Sequence, residues 1–223
     1  KTAFSLLNHE TNYRVVTLEG TFADVAISYY HKSIGGYHGA KLKRYDELIM
    51  FRLNKEIGML KYIAKQHNDS LMNYALQTQI PTLNMLNTSY IVIRPDTVPV
   101  FNPNANTNAW FVQEIRFVPN ADKEILALDS IDPKHIAVVD EKFKELLTKP
   151  IVFDSTATIR NVQYKRNYLV YESSSTTDQV AVFSEIYYAD GWNVYLDNQP
   201  AKYLRADYVL RAMPVPAGKH KIE

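Results

Sequence analysis

At 223 residues, 46% of them hydrophobic, the chain is long enough to bury a core and to form one large domain or two small ones. Its 25 basic and 24 acidic side chains leave a net charge of +1, without the basic excess on which nucleic-acid binding depends. It has no cysteine, which excludes a disulfide framework, a thiolate metal site and a cysteine nucleophile, and fits a bacterial cytoplasmic or exported protein equally.

In chain order, residues 13–18 are β-branched and aromatic and read as a strand. A turn-rich loop follows, centred on Gly35, Gly36 and Gly39. Leu42, Tyr45, Ile49, Leu53, Ile57, Leu60 and Ala64 then recur at three- and four-residue steps, the apolar stripe of one long helix or two abutting at Gly58. Ser70 is placed to cap a short helix over 71–76, and Pro81 suits the first turn of another. Residues 89–94 read as a buried strand stopped by Pro95, and 110–118 as one alternating strand after an Asn-rich loop. A helix over 122–129, a strand over 136–140 and a short helix over 141–147 complete a mixed α/β layer, expected to occupy residues 1–150.

Beyond Pro150 the period changes. Short strands at 157–164, 168–173, 179–187, 193–196, 202–204, 208–213 and 219–222 are separated by turns at Arg166-Asn167, Asp190-Gly191, Asp197-Asn198 and Ala217-Gly218. That spacing predicts an antiparallel β-sandwich, jelly-roll-like, over residues 151–223, with the seam near 147–155. The fold class is therefore α+β. No apolar run approaches the ~18–20 residues of a membrane span. The chain starts without methionine and stops inside a predicted strand, so both ends are expected to be cut points in a longer chain.

Tyr30, His31, Lys32, Tyr37, His38 and Lys41 crowd the glycine loop. Glycine there would let backbone N–H groups face an anion or sugar hydroxyls; equally, the glycines only permit positive φ and the polar groups are solvated. The loop is no P-loop, because Gly-Lys-Ser/Thr is absent. No histidine has metal-ligand spacing, and there is no Gly-x-Ser-x-Gly elbow, so neither a metal, a cofactor nor a catalytic set is expected. In the sandwich, Tyr187, Tyr188, Trp192 and Tyr195 cluster. They read either as a sugar-stacking face or as core packing, with Trp192 a plug at a strand start.

Three stretches together resemble a known family: Ser28-Tyr-Tyr-His-Lys-Ser-Ile-Gly-Gly-Tyr-His-Gly-Ala-Lys-Leu-Lys-Arg-Tyr45; Leu83-Asn-Met-Leu-Asn-Thr-Ser-Tyr90; and Ser184-Glu-Ile-Tyr-Tyr-Ala-Asp-Gly-Trp-Asn-Val-Tyr-Leu-Asp197, running on to Val215-Pro-Ala-Gly-Lys-His220. They are similar to the C-terminal extracytoplasmic region of YfhO-type bacterial membrane proteins, in the form found in Bacteroides and relatives. The resemblance implies a parent of the GT-C glycosyltransferase type, with many membrane helices and a polyprenyl-phosphate-linked sugar as donor. Its catalytic acid would lie in an early loop between membrane helices, so no catalytic residue carries over, and the expected role of this chain is non-catalytic, covering the membrane active site or holding an acceptor glycan. The expected partners are the membrane, through helices outside this chain, and a glycan or lipid-linked sugar. The expected location is the outer side of the bacterial inner membrane. Two rival expectations stand beside it: an independent carbohydrate-binding module, and an enzyme with its site in the 30–41 loop.

Overall fold

A computed structural model describes residues 7, 12–23, 26–36 and 40–223. Two compact units emerge, Lys1–Asn106 and Thr107–Glu223.

In the first unit, β1 (Arg14–Thr17) runs parallel to β2 (Thr88–Val92), which pairs antiparallel with the short β3 (Val100–Phe101). Val15, Val16 and Ile91 are fully buried on this small sheet. Helix α1 (Ala26–Tyr30) precedes the loop, and α2 (Lys43–Leu48) passes through a π-helical turn (Ile49–Leu53) into α3 (Asn54–Lys65). The helix expected over 42–64 thus runs without a break. Its one irregularity is the π turn, not Gly58, and the residue it inserts rotates the buried face. Leu48, Ile49, Leu53, Ile57, Leu60 and Ile63 are buried, whereas Leu42 is exposed. Helix α4 (Asp69–Thr78) is capped by Asn68, whose side chain accepts from Leu71 N at 2.9 Å, rather than by Ser70. Pro81 opens α5 (Pro81–Met85) as expected. The first-turn N–H groups of Thr82 and Leu83 donate to the two carboxylate oxygens of buried Glu56, at 2.8 and 2.9 Å.

In the second unit, the stretch expected as one strand divides at Gln113. β4 (Ala109–Val112) and β5 (Glu114–Val118) lie in different sheets, and Gln113 N and Glu114 N both donate to His135 O. β5 pairs in parallel with β6 (Ile136–Asp140), joined through α6 (Ala121–Ala127), and a 3-10 turn (Glu141–Leu146) follows β6. The remaining strands are β7 (Thr158–Lys165), β8 (Tyr168–Ser175), β9 (Gln179–Ile186), β10 (Val194–Leu196), β11 (Gln199–Ala201), β12 (Leu204–Ala206), β13 (Leu210–Val215) and β14 (Gly218–Ile222). They form a five-stranded sheet in the order β11-β10-β14-β8-β7 and a four-stranded sheet in the order β12-β13-β9-β4. Every pairing in both is antiparallel.

The inner faces meet through Leu169, Tyr171 and Ile222 on one side and Ala109, Ala181, Phe183, Met213 and Val215 on the other. Two antiparallel sheets sharing one core make a sandwich-like packing, and the class is α+β. A strand from residues 109–112 completes the second sheet, so the sandwich draws on chain upstream of residues 147–155.

Candidate functional site

The loop residues singled out in the sequence have well-defined places where they are described. Tyr30 is half exposed and stacks edge-on against Tyr29, with ring centres 5.0 Å apart. His31 is buried. Lys32 Nζ donates to Asn12 Oδ1 at 3.4 Å, and its carbonyl accepts from Val15 N at 2.8 Å. Lys41 is exposed, while Tyr37 and His38 lie outside the described residues. The glycine N–H groups turn inward: Gly35 N donates to Ser33 Oγ at 3.0 Å and Gly36 N to Thr21 O at 2.8 Å. A Cβ on Gly35 would meet Thr21 O at 1.7 Å, and Gly36 adopts φ +113°, so both glycines serve close packing of the loop against that turn. Tyr45, whose hydroxyl donates to Ile34 O at 2.7 Å, ties the loop to α2.

A second cluster of chemical interest is buried in the Thr107–Glu223 unit. Arg205 Nη2 reaches Glu124 Oε2 at 3.3 Å and Asp140 Oδ2 at 3.6 Å, with its guanidinium against the Phe143 and Tyr187 rings. Glu124 Oε1 accepts from Tyr208 N at 3.1 Å, and Asp207 Oδ1 accepts from Val138 N at 2.8 Å. Glu124 and Asp207 are fully buried, which withholds them from a substrate. These groups latch the β12–β13 turn onto β6 and α6, a structural task.

The resemblance pattern Gly-Trp…Asp…Pro-Ala-Gly-x-His closes on itself. Asp197 and Asn198 form the two-residue β10–β11 turn with φ of +51° and +66°, the left-handed pair a tight hairpin requires. Asp197 Oδ1 accepts from Lys221 N at 2.8 Å, and Oδ2 meets His220 Nδ1 at 2.6 Å. The hydrogen bond to Asp197 raises the His220 pKa, and His220 in turn lowers that of Asp197. The pair pins the hairpin to β14.

Apart from this pin, at one end of the sandwich, lies a cavity of about 280 Å³. Core residues Tyr171, Phe183, Met213 and Ile222 form part of its wall, with Tyr171 and Phe183 in edge contact at 4.9 Å. Tyr168, Trp192 and Tyr195 add aromatic surface, and Tyr168 and Tyr195 are well exposed. Three charged residues line it, Glu185, Arg211 and Glu223, the last held by Lys221 Nζ at 2.8 Å. Glu185 Oε1 accepts from Tyr164 OH at 2.8 Å, and Arg211 Nε donates to Ile186 O at 3.0 Å. The Arg211 guanidinium lies 4.2 Å from the Trp192 ring centre, within cation–π range. Burial lowers the Arg211 pKa, while Glu185 acts to raise it. The turn carrying Trp192 is held by Tyr203 OH, which donates to Tyr188 O at 3.0 Å.

Trp192 is therefore neither a fully enclosed plug nor part of a flat exposed row: it is half-buried and walls a recess. Of the aromatic cluster expected from the sequence, Trp192 and Tyr195 line the recess, while Tyr187 and Tyr188 do not. Glu185 and Arg211 were not singled out, because nothing local marks them and only sheet pairing brings them together. Aromatic surface with a few convergent polar groups is the usual make-up of a small-molecule site. Carboxylates from Glu185 and Glu223 beside the Arg211 guanidinium offer both acceptors and donors, which suits a ligand with hydroxyls that both donate and accept.

The second unit is thus a β-sandwich with an aromatic recess at one end. Residues 126–223 match the family described as bacterial membrane protein YfhO, and over that stretch the chain is similar to it. The matched stretch takes in the Asp197–His220 pin, Trp192 and the recess, and leaves out the 30–41 loop. No curated protein and no solved structure matches the chain. Among the described residues, no helix is long and apolar enough to cross a membrane, and no group of three His, Asp or Glu is placed to hold a metal ion.

Proposed function

We propose that this chain is a soluble, non-catalytic, extracytoplasmic region of a YfhO-like membrane glycosyltransferase of the GT-C type, and that it holds an acceptor glycan near the membrane active site. The observation that carries the glycan part is the recess in the sandwich, where aromatic rings, the Arg211 guanidinium and the Glu185 and Glu223 carboxylates line a space of monosaccharide-to-disaccharide size. The membrane part is supported by the match of residues 126–223 to a membrane-protein family. The exposed Tyr30 and Lys41 keep the 30–41 loop as a second candidate contact, for a lipid-linked sugar.

Saccharide titration followed by tryptophan emission tests the glycan part. The chain has two tryptophans, and Trp110 is buried with Nε1 donating to Pro133 O, so Trp110→Phe leaves Trp192 as the sole reporter. Neutral oligosaccharides are expected to shift its emission, and Arg211→Met to weaken binding by about tenfold or more, through loss of charged hydrogen bonds and of the ring contact. Calorimetry on the unsubstituted chain gives the same affinity without relying on Trp110→Phe. No binding across a glycan array, or unchanged binding by Arg211→Met, would overturn the glycan-holding role. A parent reading frame without a cluster of membrane helices would overturn the membrane part.

A further inference from the structure

The long helix of the first unit carries a second face that its own fold does not bury. Along α2, the π turn and α3, the exposed residues are Lys43, Asp46, Met50, Phe51, Asn54, Lys55, Gly58, Lys61, Tyr62 and Lys65. Their three- and four-residue spacing places them on one side of the helix, opposite the buried Leu53, Ile57 and Leu60. Three are large and apolar or aromatic, and they stand well out: Met50 is 60% exposed, Phe51 57% and Tyr62 64%. The exposed charge is mainly positive, with four lysines against Asp46 and the partly buried Glu47, whose carboxylate lies 3.8 Å from Lys43 Nζ.

Gly58 lies in this face, between Lys55 and Lys61 in sequence. A Cβ there would meet nothing within 4 Å, so no internal contact calls for glycine. An exposed glycine inside a helix costs about 1 kcal/mol relative to alanine. Here it leaves a shallow notch of accessible backbone among lysines and rings.

We infer that this face docks on the headgroup layer of a bilayer rich in anionic phospholipid. Lysine ammonium groups would meet the phosphates, Phe51 and Met50 would dip toward the acyl boundary, and Tyr62 would sit at the headgroup level where tyrosine is favoured. The excess of lysine matches an anionic surface and opposes a basic one. The inference rests on the membrane-protein part of the proposed function and adds to it a defined contact on the first unit.

Cosedimentation with vesicles tests it. The unsubstituted chain is expected to bind phosphatidylglycerol mixed with phosphatidylcholine, to bind phosphatidylcholine alone far more weakly, and to be released by salt. Lys55→Glu, Lys61→Glu and Lys65→Glu together should weaken binding by about a hundredfold, at roughly fivefold per lysine. Phe51→Ser with Tyr62→Ser should weaken it further at low salt. Thermal melts check that the variants, all at exposed positions, keep the fold. Absence of vesicle binding, equal binding to the neutral vesicles, or unchanged binding by the lysine variants overturns the inference. So does sedimentation equilibrium showing a dimer that Phe51→Ser dissolves, which would make the face a contact between copies. A chain that binds saccharide but no vesicle overturns the docking face alone, and the reverse overturns the recess alone.

Discussion

Asp207 adopts φ +48°, followed by Tyr208 at +70°, an uncommon conformation for two residues other than glycine. The turn is held because Asp207 exchanges two hydrogen bonds with Val138 and Tyr208 N is taken by Glu124. Burial pushes the Asp207 carboxyl up to about 8, against the pull of the Val138 N–H, and Glu124 adds to the rise. The folded pKa thus lies above the unfolded value of 3.8. Its contribution to stability is full below about pH 4 and is lost as pH climbs through about 8. Asp207→Asn keeps an oxygen for Val138 N–H and has no proton to lose. Its melting temperature is expected to fall less between pH 4 and pH 8 than that of the unsubstituted chain, with a gap on the order of 5 °C at pH 8 by calorimetry. An equal fall in both would sink this account. The His220–Asp197 pin has a different window. His220 is raised above 6.5, so its share is present below that value and lost as pH rises through the folded pKa; Asp197 is lowered below 3.8, so its share is lost only in strong acid. Between about pH 4 and 6.5 both shares are full. Melting curves of His220→Phe should show a deficit there that narrows above neutrality, kept below about 1 kcal/mol because the Asp197 side chain is half exposed. The Asp197-Asn198 turn was legible because Asp and Asn tolerate left-handed φ. The role of Asp207 was not, because its partners lie about 70 and 80 positions away in sequence.

At the scale of elements, the sequence pattern found the long helix but misjudged where it bends. A glycine inside a helical stripe is the usual suspect for a break, yet Gly58 keeps helical geometry and the irregularity falls on Ile49–Leu53, a run without glycine or proline. A π turn has no local residue signature; it is set by how the two halves must bury Leu48 and Ile49 on one side and Leu60 and Ile63 on the other. Since a Cβ at position 58 enters open space, Gly58→Ala should raise stability by up to about 1 kcal/mol in urea unfolding, with unchanged circular dichroism. Destabilisation would mean that the helix needs the glycine after all. The division at Gln113 escaped notice for a related reason. Alternation continues from β4 into β5, and only the choice of partners, antiparallel β9 and parallel β6, separates them.

At the scale of the whole chain, the α+β class and most strands of the sandwich could be read from periodicity and turn residues. The recess could not, because its lining is gathered from both ends of 167–223 by strand pairing and sheet packing. One feature of that pairing governs how the sandwich is made. The last strand in the sequence, β14, occupies the centre of the five-stranded sheet, with β10 on one side and β8 on the other. During synthesis the chain emerges from its N-terminal side, so β7–β8 and β10–β11 would form first as separate hairpins with open edges. Only the arrival of β14 joins them. The pin between His220 and Asp197 would form in that same late step. Assembly of this sheet therefore waits for β14, and until β14 docks the edges of β8 and β10 stand open to chaperones or to aggregation.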